Sequence, residues 1–166
     1  MVTRYRLAPM SVSIWVMTLV CFAIPPVMLL AARTAPPPAH GVLVAVALVT
    51  LGLYALIGLA FRPTAFVLEP DALVLHWSLR SRRIERSSIV RARVCSYAEL
   101  RQELGYVMRV GAGGLWGGFG RAKTARGMLE LWISRTDRIV YVECTGRRSL
   151  LITPADPDRF VAELQP

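Results

Sequence analysis

Histidine, lysine and paired cysteines are scarce in this chain, and two long stretches carry no charge at all. The histidines are His40 and His76; the cysteines are Cys21, Cys95 and Cys144, with no C-x-x-C and no metal-type spacing. That excludes a zinc cage or a disulfide framework as the organising feature. Cys95 with His76 is the one nucleophile–base pairing that can be named, and no signature motif surrounds it. The carboxylates are scattered and sit beside arginines, as in Glu85–Arg86, Asp137–Arg138 and Asp158–Arg159, which reads as solvated surface pairing. Neither G-x-G-x-x-G nor G-x-x-x-x-G-K-[ST] occurs. The expectation is therefore a protein without enzymatic activity, cofactor or metal. Lysine is almost absent, one against nineteen arginines, a composition that suggests a GC-rich bacterial genome.

What is abundant is apolar sequence, 54% of the chain, gathered into two runs. Ser11–Ala32 holds 22 residues without a charge and Gly41–Phe61 holds 21. A hydrocarbon core of about 30 Å takes roughly 20 helical residues, so each run is long enough to span it. The first run exceeds the 7–15 apolar residues of a signal peptide, and a second follows at once. Pro25 and Pro26 interrupt the first helix and free the carbonyls of Cys21 and Phe22, which a neighbour must satisfy. Arg4 and Arg6 precede the first run, Arg62 and a set of arginines follow the second, and only Arg33 lies between. The positive-inside rule then puts both termini in the cytoplasm. The expected plan is a cytoplasmic N-terminus over residues 1–10, transmembrane helices over 11–32 and 41–61, a short external loop over 33–40, and a cytoplasmic domain over 62–166 in the bacterial inner membrane.

The domain segment has 17 cations against 11 acids, a net +6. Its pattern is mainly β. Ala65–Glu69 and Leu73–Trp77 flank the turn residues Pro70-Asp71-Ala72, with Leu73, Leu75 and Trp77 on one face. A reversal at Leu79-Arg80-Ser81 follows, then Ile89–Cys95, with Val90, Ala92 and Val94 expected inward and Arg91 and Arg93 outward. Tyr97–Leu104 favours a short helix. Gly105–Val110 reads as a strand, and Leu129–Ser134 with Ile139–Cys144 reads as a hairpin. Ser149–Ile152 is the last strand. A terminal helix starts either with Thr153 as cap and Pro154 in the first turn, or with Asp156 and Pro157. About seven short antiparallel strands with a C-terminal helix describe a small barrel or sandwich capped by a helix.

The ending SLLITPADPDRFVAEL resembles that of bacterial pleckstrin-homology-like (PH) domains, as does the opening AFVLEPDALVLHWSLRSRRIERSSIVRARV; GGLWGGFG is similar to a glycine-rich stretch of a membrane-attached branch with two N-terminal transmembrane helices. The resemblance covers roughly Thr64–Leu164. It implies a seven-stranded PH-like fold without a shared catalytic activity. The first-hairpin turn, Glu69-Pro70-Asp71, is acidic where phosphoinositide-binding PH domains carry cations, so that recognition is not carried over.

Two features point to contacts. Arg62, Arg80, Arg82, Arg83, Arg86, Arg91 and Arg93 are the strongest charge cluster and read as a juxtamembrane basic face, either binding anionic lipid headgroups or serving topology and solubility. Nucleic acid is not expected, because no nucleic-acid-binding signature accompanies the charge. The stretch GAGGLWGGFGRAK, Gly111–Lys123, reads as a glycine-flexed loop. Its Leu115, Trp116 and Phe119 are too apolar to stay solvated and must bury in the domain, a protein partner or the bilayer, with Arg121, Lys123 and Arg126 suited to headgroups behind them. The functional expectation is a non-enzymatic membrane-anchored module that binds protein or an anionic lipid surface. The alternatives are a structural subunit or homo-oligomer in a larger membrane assembly and, remotely, a cysteine-dependent enzyme.

Overall fold

The computed structural model describes residues 2–105 and 108–165. Two long helices, α1 (Val12–Ala32) and α2 (Pro37–Leu56), form an antiparallel hairpin. The second begins at Pro37, ahead of the uncharged run, because proline suits a first helical turn. It ends in a π-helical turn, Ile57–Phe61. The mean hydropathies of the two helices are 2.3 and 2.6, and each is long and apolar enough to cross a membrane. The proline pair in α1 is accommodated as chemistry requires: Tyr54 on α2 donates its hydroxyl to the Cys21 carbonyl at 2.9 Å. His40 Nδ1 lies 2.8 Å from the Ala32 carbonyl and ties the connection down.

Residues Thr3–Arg6, which had no expected element, form strand β1 and pair antiparallel with β2 (Pro63–Leu68). The chain thus enters and leaves the helical hairpin through neighbouring strands. β3 (Ala72–Trp77) and β4 (Ser81–Glu85) complete a four-stranded sheet in the order β1-β2-β3-β4.

The second sheet contains β5 (Ile89–Cys95), β6 (Met108–Gly113), β7 (Gly118–Thr124), β8 (Gly127–Ile133), β9 (Ile139–Cys144) and β10 (Leu150–Ile152), in the order β5-β9-β10-β8-β7-β6. Two expectations change here. β8 and β9 do not pair as a hairpin; β10 inserts between them, parallel to β8 and antiparallel to β9. All three β10 residues are buried, as a central strand with two covered faces demands. Gly111–Lys123 is a β-hairpin rather than a loop: β6 and β7 pair from Met108↔Lys123 to Gly113↔Gly118, leaving only Gly114–Gly117 as the turn. Of the expected strand Gly105–Val110, residues 106 and 107 lie outside the described residues.

Helix α3 (Tyr97–Leu104) carries a capping box: the Ser96 hydroxyl accepts from the Glu99 amide at 3.2 Å, and Glu99 Oε2 accepts from the Ser96 amide at 2.7 Å. α4 (Pro157–Leu164) starts on Asp156, not Thr153. Thr153 is buried, and its hydroxyl accepts from the Ser134 amide at 2.9 Å.

The main core fills the space between the sheets. Phe66, Leu73, Leu75 and Ile84 meet Trp132, Val142, Leu150 and Ile152, and Phe160 of α4 closes the end. A second cluster lies under α3 on the outer face of the larger sheet, with Leu100, Leu104, Leu129, Leu131 and Ile133. β8 alternates between the two clusters, which is why it needs apolar residues on both faces. A register shift between Ile89 and Arg91 turns Ile89 inward and leaves Val90 67% exposed, against the expected inward placement.

Candidate functional site

The end of the domain that faces the helices is tied to them at three places. The Ser11 amide donates to the Ser134 carbonyl at 3.3 Å, so α1 starts directly off the end of β8. Trp77 Nε1 donates to the Phe61 carbonyl at 3.1 Å, which ties the end of α2 to the end of β3. The third tie is the turn Gly114–Gly117. Its backbone closes with the Gly114 amide donating to the Gly117 carbonyl at 3.1 Å, and Trp116 sits at a positive φ of 57°. Thr18 on α1 reads this turn: its hydroxyl accepts from the Trp116 amide at 3.0 Å and lies 2.7 Å from the Ile14 carbonyl and 3.2 Å from that of Gly114.

Trp116 is thereby placed between the two helices. Its ring meets Phe22 of α1 edge-on, with centroids 5.6 Å apart. A Cβ at Gly58 would lie 3.0 Å from the same ring, so glycine there lets α2 close on it. Leu115 is buried in the turn. Phe119 faces the other way and is buried in the core between the sheets. Trp116 also packs against the edge of that core, so it joins the core to the helices while Phe119 lies within it.

The cations of the hairpin separate along β7. Arg121 is exposed midway. Lys123 is exposed near the far end, and Arg126 lies in the turn beyond it, paired with Glu103 at 3.0 Å. A seven-residue strand spans about 20 Å, so Lys123 and Arg126 do not stand behind Trp116.

The seven arginines of the expected basic face do not share a face. β4 runs away from the helices, and strand alternation sends Arg82 inward and Arg83 outward. Arg83 pairs with Asp71 at 2.5 Å and with Glu69 at the far end; its hydrogen bond holds the Asp71 carboxyl below the usual carboxylate range. Arg86 donates to the Glu163 carbonyl of α4 at 2.7 Å. Arg93 pairs with Glu103 and lies over the Tyr141 ring. Arg91 is exposed on β5, in the other sheet.

The structure brings Arg80, Arg82 and Arg121 together. They line a pocket of about 330 Å³ with Phe61, Gly120, Glu130 and Trp132. Arg82 bridges the two sheets to Glu130 at 2.5 Å, and Glu130 is only 4% exposed. Arg80 stacks on Trp77, its guanidinium carbon 4.8 Å from the ring centroid. Arg62 lies on the other side of Pro63, where it lines a separate pocket with Arg6. Sequence reasoning missed Thr18 and Glu130, and named Arg6 and Leu79 without assigning either to a site. Thr18 is a hydroxyl within an apolar run, and Glu130 is a lone acid in LELWIS; both were visible as anomalies. Leu79 is an apolar residue in a polar turn, and it is 71% exposed.

A family model described as Bacterial PH domain matches residues 64–166. The chain belongs to that family. Among curated proteins none matches it. The β-rich domain with antiparallel sheets and a C-terminal helix is the PH-like fold expected of the family, carrying two apolar helices ahead of it. In this bacterial PH domain Cys95 and His76 do not form a nucleophile–base pair. Cys95 is buried beneath α3, donates to the Ile139 carbonyl, and has its thiol pushed up by burial to about 11. His76 is half-buried on β3, in the opposite sheet and on the side away from the core.

Proposed function

We propose that the chain is a two-span inner-membrane protein whose bacterial PH domain is a binding module held against the cytoplasmic leaflet. The observation that carries this is the pairing of β1 with β2 across the helical hairpin. A chain that crosses the membrane twice between two paired strands has both strands on one side. The helices support spanning in a second way. Only 11% of the most apolar window of each is buried, whereas a core helix of a water-soluble domain would be covered. Leaving Val12 80% and Val49 71% exposed to water is unfavourable, and contact with lipid removes that cost. Arginines flank the hairpin on the domain side and set the orientation.

In this reading Trp116, Phe61 and Leu79 lie at the inner interface, where aromatic side chains are favoured. The domain binds anionic lipid surface and presents its remaining faces to protein partners. C-terminal fusions test the arrangement: a cytoplasm-dependent fluorescent reporter is expected to be active and a periplasm-dependent phosphatase inactive. The reverse pattern would overturn it.

A further inference from the structure

We infer that the pocket of Arg80, Arg82 and Arg121 is a site for a phosphate group carried by an anionic lipid headgroup. The inference rests on the membrane-anchored reading above and gives it a specific site. Three arginines line it against one carboxylate. Glu130 is nearly fully buried, and its bond to Arg82 fixes that guanidinium at the back of the pocket. Trp77 supports Arg80 from below. Among the described residues, Arg80 and Arg121 have no acidic partner, unlike Arg83, Arg93 and Arg126, which are paired elsewhere in the domain. A guanidinium fork matches phosphate oxygens bidentately, and two such forks remain unused. The volume, about 330 Å³, lies at the lower end of the range for ligand sites and admits a glycerophosphate headgroup.

The location selects a lipid as the carrier. Phe61, the last residue of the apolar helix, forms one wall, so the mouth lies where α2 leaves the bilayer. Leu79, exposed beside Arg80, would enter the acyl layer while Arg80 stays at headgroup level. The site is distinct from the acidic Glu69–Asp71 turn at the opposite end of the sheet.

The test uses the full chain in phosphatidylcholine nanodiscs or micelles, titrated with phosphatidylglycerol and read by native mass spectrometry. Arg80→Gln with Arg121→Gln leaves the Arg82–Glu130 bridge intact. At about fivefold per juxtamembrane cation, the double variant is expected to retain phosphatidylglycerol about 25-fold less well. Arg91→Gln with Arg101→Gln, equal in charge removed but distant, on β5 and on the outer helix α3, is expected to retain it as the wild type does. Equal loss in both pairs would overturn the pocket while leaving a diffuse lipid surface. No preference of the wild type for phosphatidylglycerol would overturn the pocket and the lipid-binding reading together, whereas a periplasmic C-terminus would sink only the topology. Saturation by millimolar inorganic phosphate in phosphatidylcholine alone would overturn the lipid as carrier.

Discussion

Replacing Thr18 by valine should uncouple the glycine hairpin from the helices without unfolding the domain. Valine keeps the shape of threonine, so the volume filled at this buried position is preserved. What is lost is one oxygen. The Trp116 amide loses its 3.0 Å acceptor, and the Gly114 carbonyl loses a hydroxyl at 3.2 Å. Ile14 loses nothing essential, because its carbonyl remains within the helical ladder. An unpartnered buried main-chain group costs about 1–3 kcal/mol. The amide is the group that depends wholly on Thr18, so the docking of the turn should weaken by about 2 kcal/mol, or about 30-fold in the open population. Hydrogen exchange of the full chain in nanodiscs reads this directly from peptides covering 114–118. Those amides should exchange about 30-fold faster in Thr18→Val, and peptides of β8 and β10 should not change. Thr18→Ser retains the oxygen and should restore protection. Equal protection of the turn in the valine variant would refute the claim that Thr18 holds it.

Gly117→Ala should destabilise the domain by about 3 kcal/mol or more and lower its Tm, because a Cβ there would lie 2.0 Å from the Ile133 carbonyl at a φ of 147°. Tyr54→Phe should cost the helical hairpin about 1 kcal/mol, read as easier helix separation in a denaturing-detergent titration, since the Cys21 carbonyl freed by Pro25 loses its donor. Cys95 should resist maleimide at pH 8 until the domain unfolds. Its folded pKa lies above its ordinary value of 9.0, so the neutral thiol is favoured in the folded state; the associated stability is present below pH 9 and is lost as pH rises towards 11, measurable as a fall in Tm that is smaller in Cys95→Ala, the remainder coming from Cys144 and the buried tyrosines, whose values are raised in the same direction.

The parts of this fold that were legible in the sequence are those fixed by local pattern. The two uncharged runs became helices, because nothing else satisfies so long an apolar backbone, and the β2–β3 hairpin followed from alternation around Pro70-Asp71. The parts that were not legible depend on distant partners. Thr3–Arg6 is too short and polar to announce a strand; it is one because β2, some sixty residues later, offers an edge. β10 takes its place between β8 and β9 because only there can Leu150, Leu151 and Ile152 all be covered. In GAGGLWGGFGRAK, the glycine content masked strand character, since glycine contributes no side chain to the alternation by which strands are recognised. The arginines were visible as a cluster in sequence, but alternation and sheet membership distribute them, and among the described residues Arg80, Arg82 and Arg121 line one pocket. Which two strands bring Arg121 beside Arg82 is a matter of topology, not of spacing.

The central claim is that the helical end of the bacterial PH domain lies in the interface of the inner leaflet. Its most direct test is the depth of Leu79. A nitroxide at Leu79→Cys, with Cys21, Cys95 and Cys144 replaced by alanine, can be compared with one at Glu85→Cys, at the other end of β4, in nanodiscs containing phosphatidylglycerol. The account predicts that the label at 79 is accessible to oxygen and shielded from aqueous nickel, and that the label at 85 shows the reverse. Full exposure of both labels to aqueous nickel would contradict it.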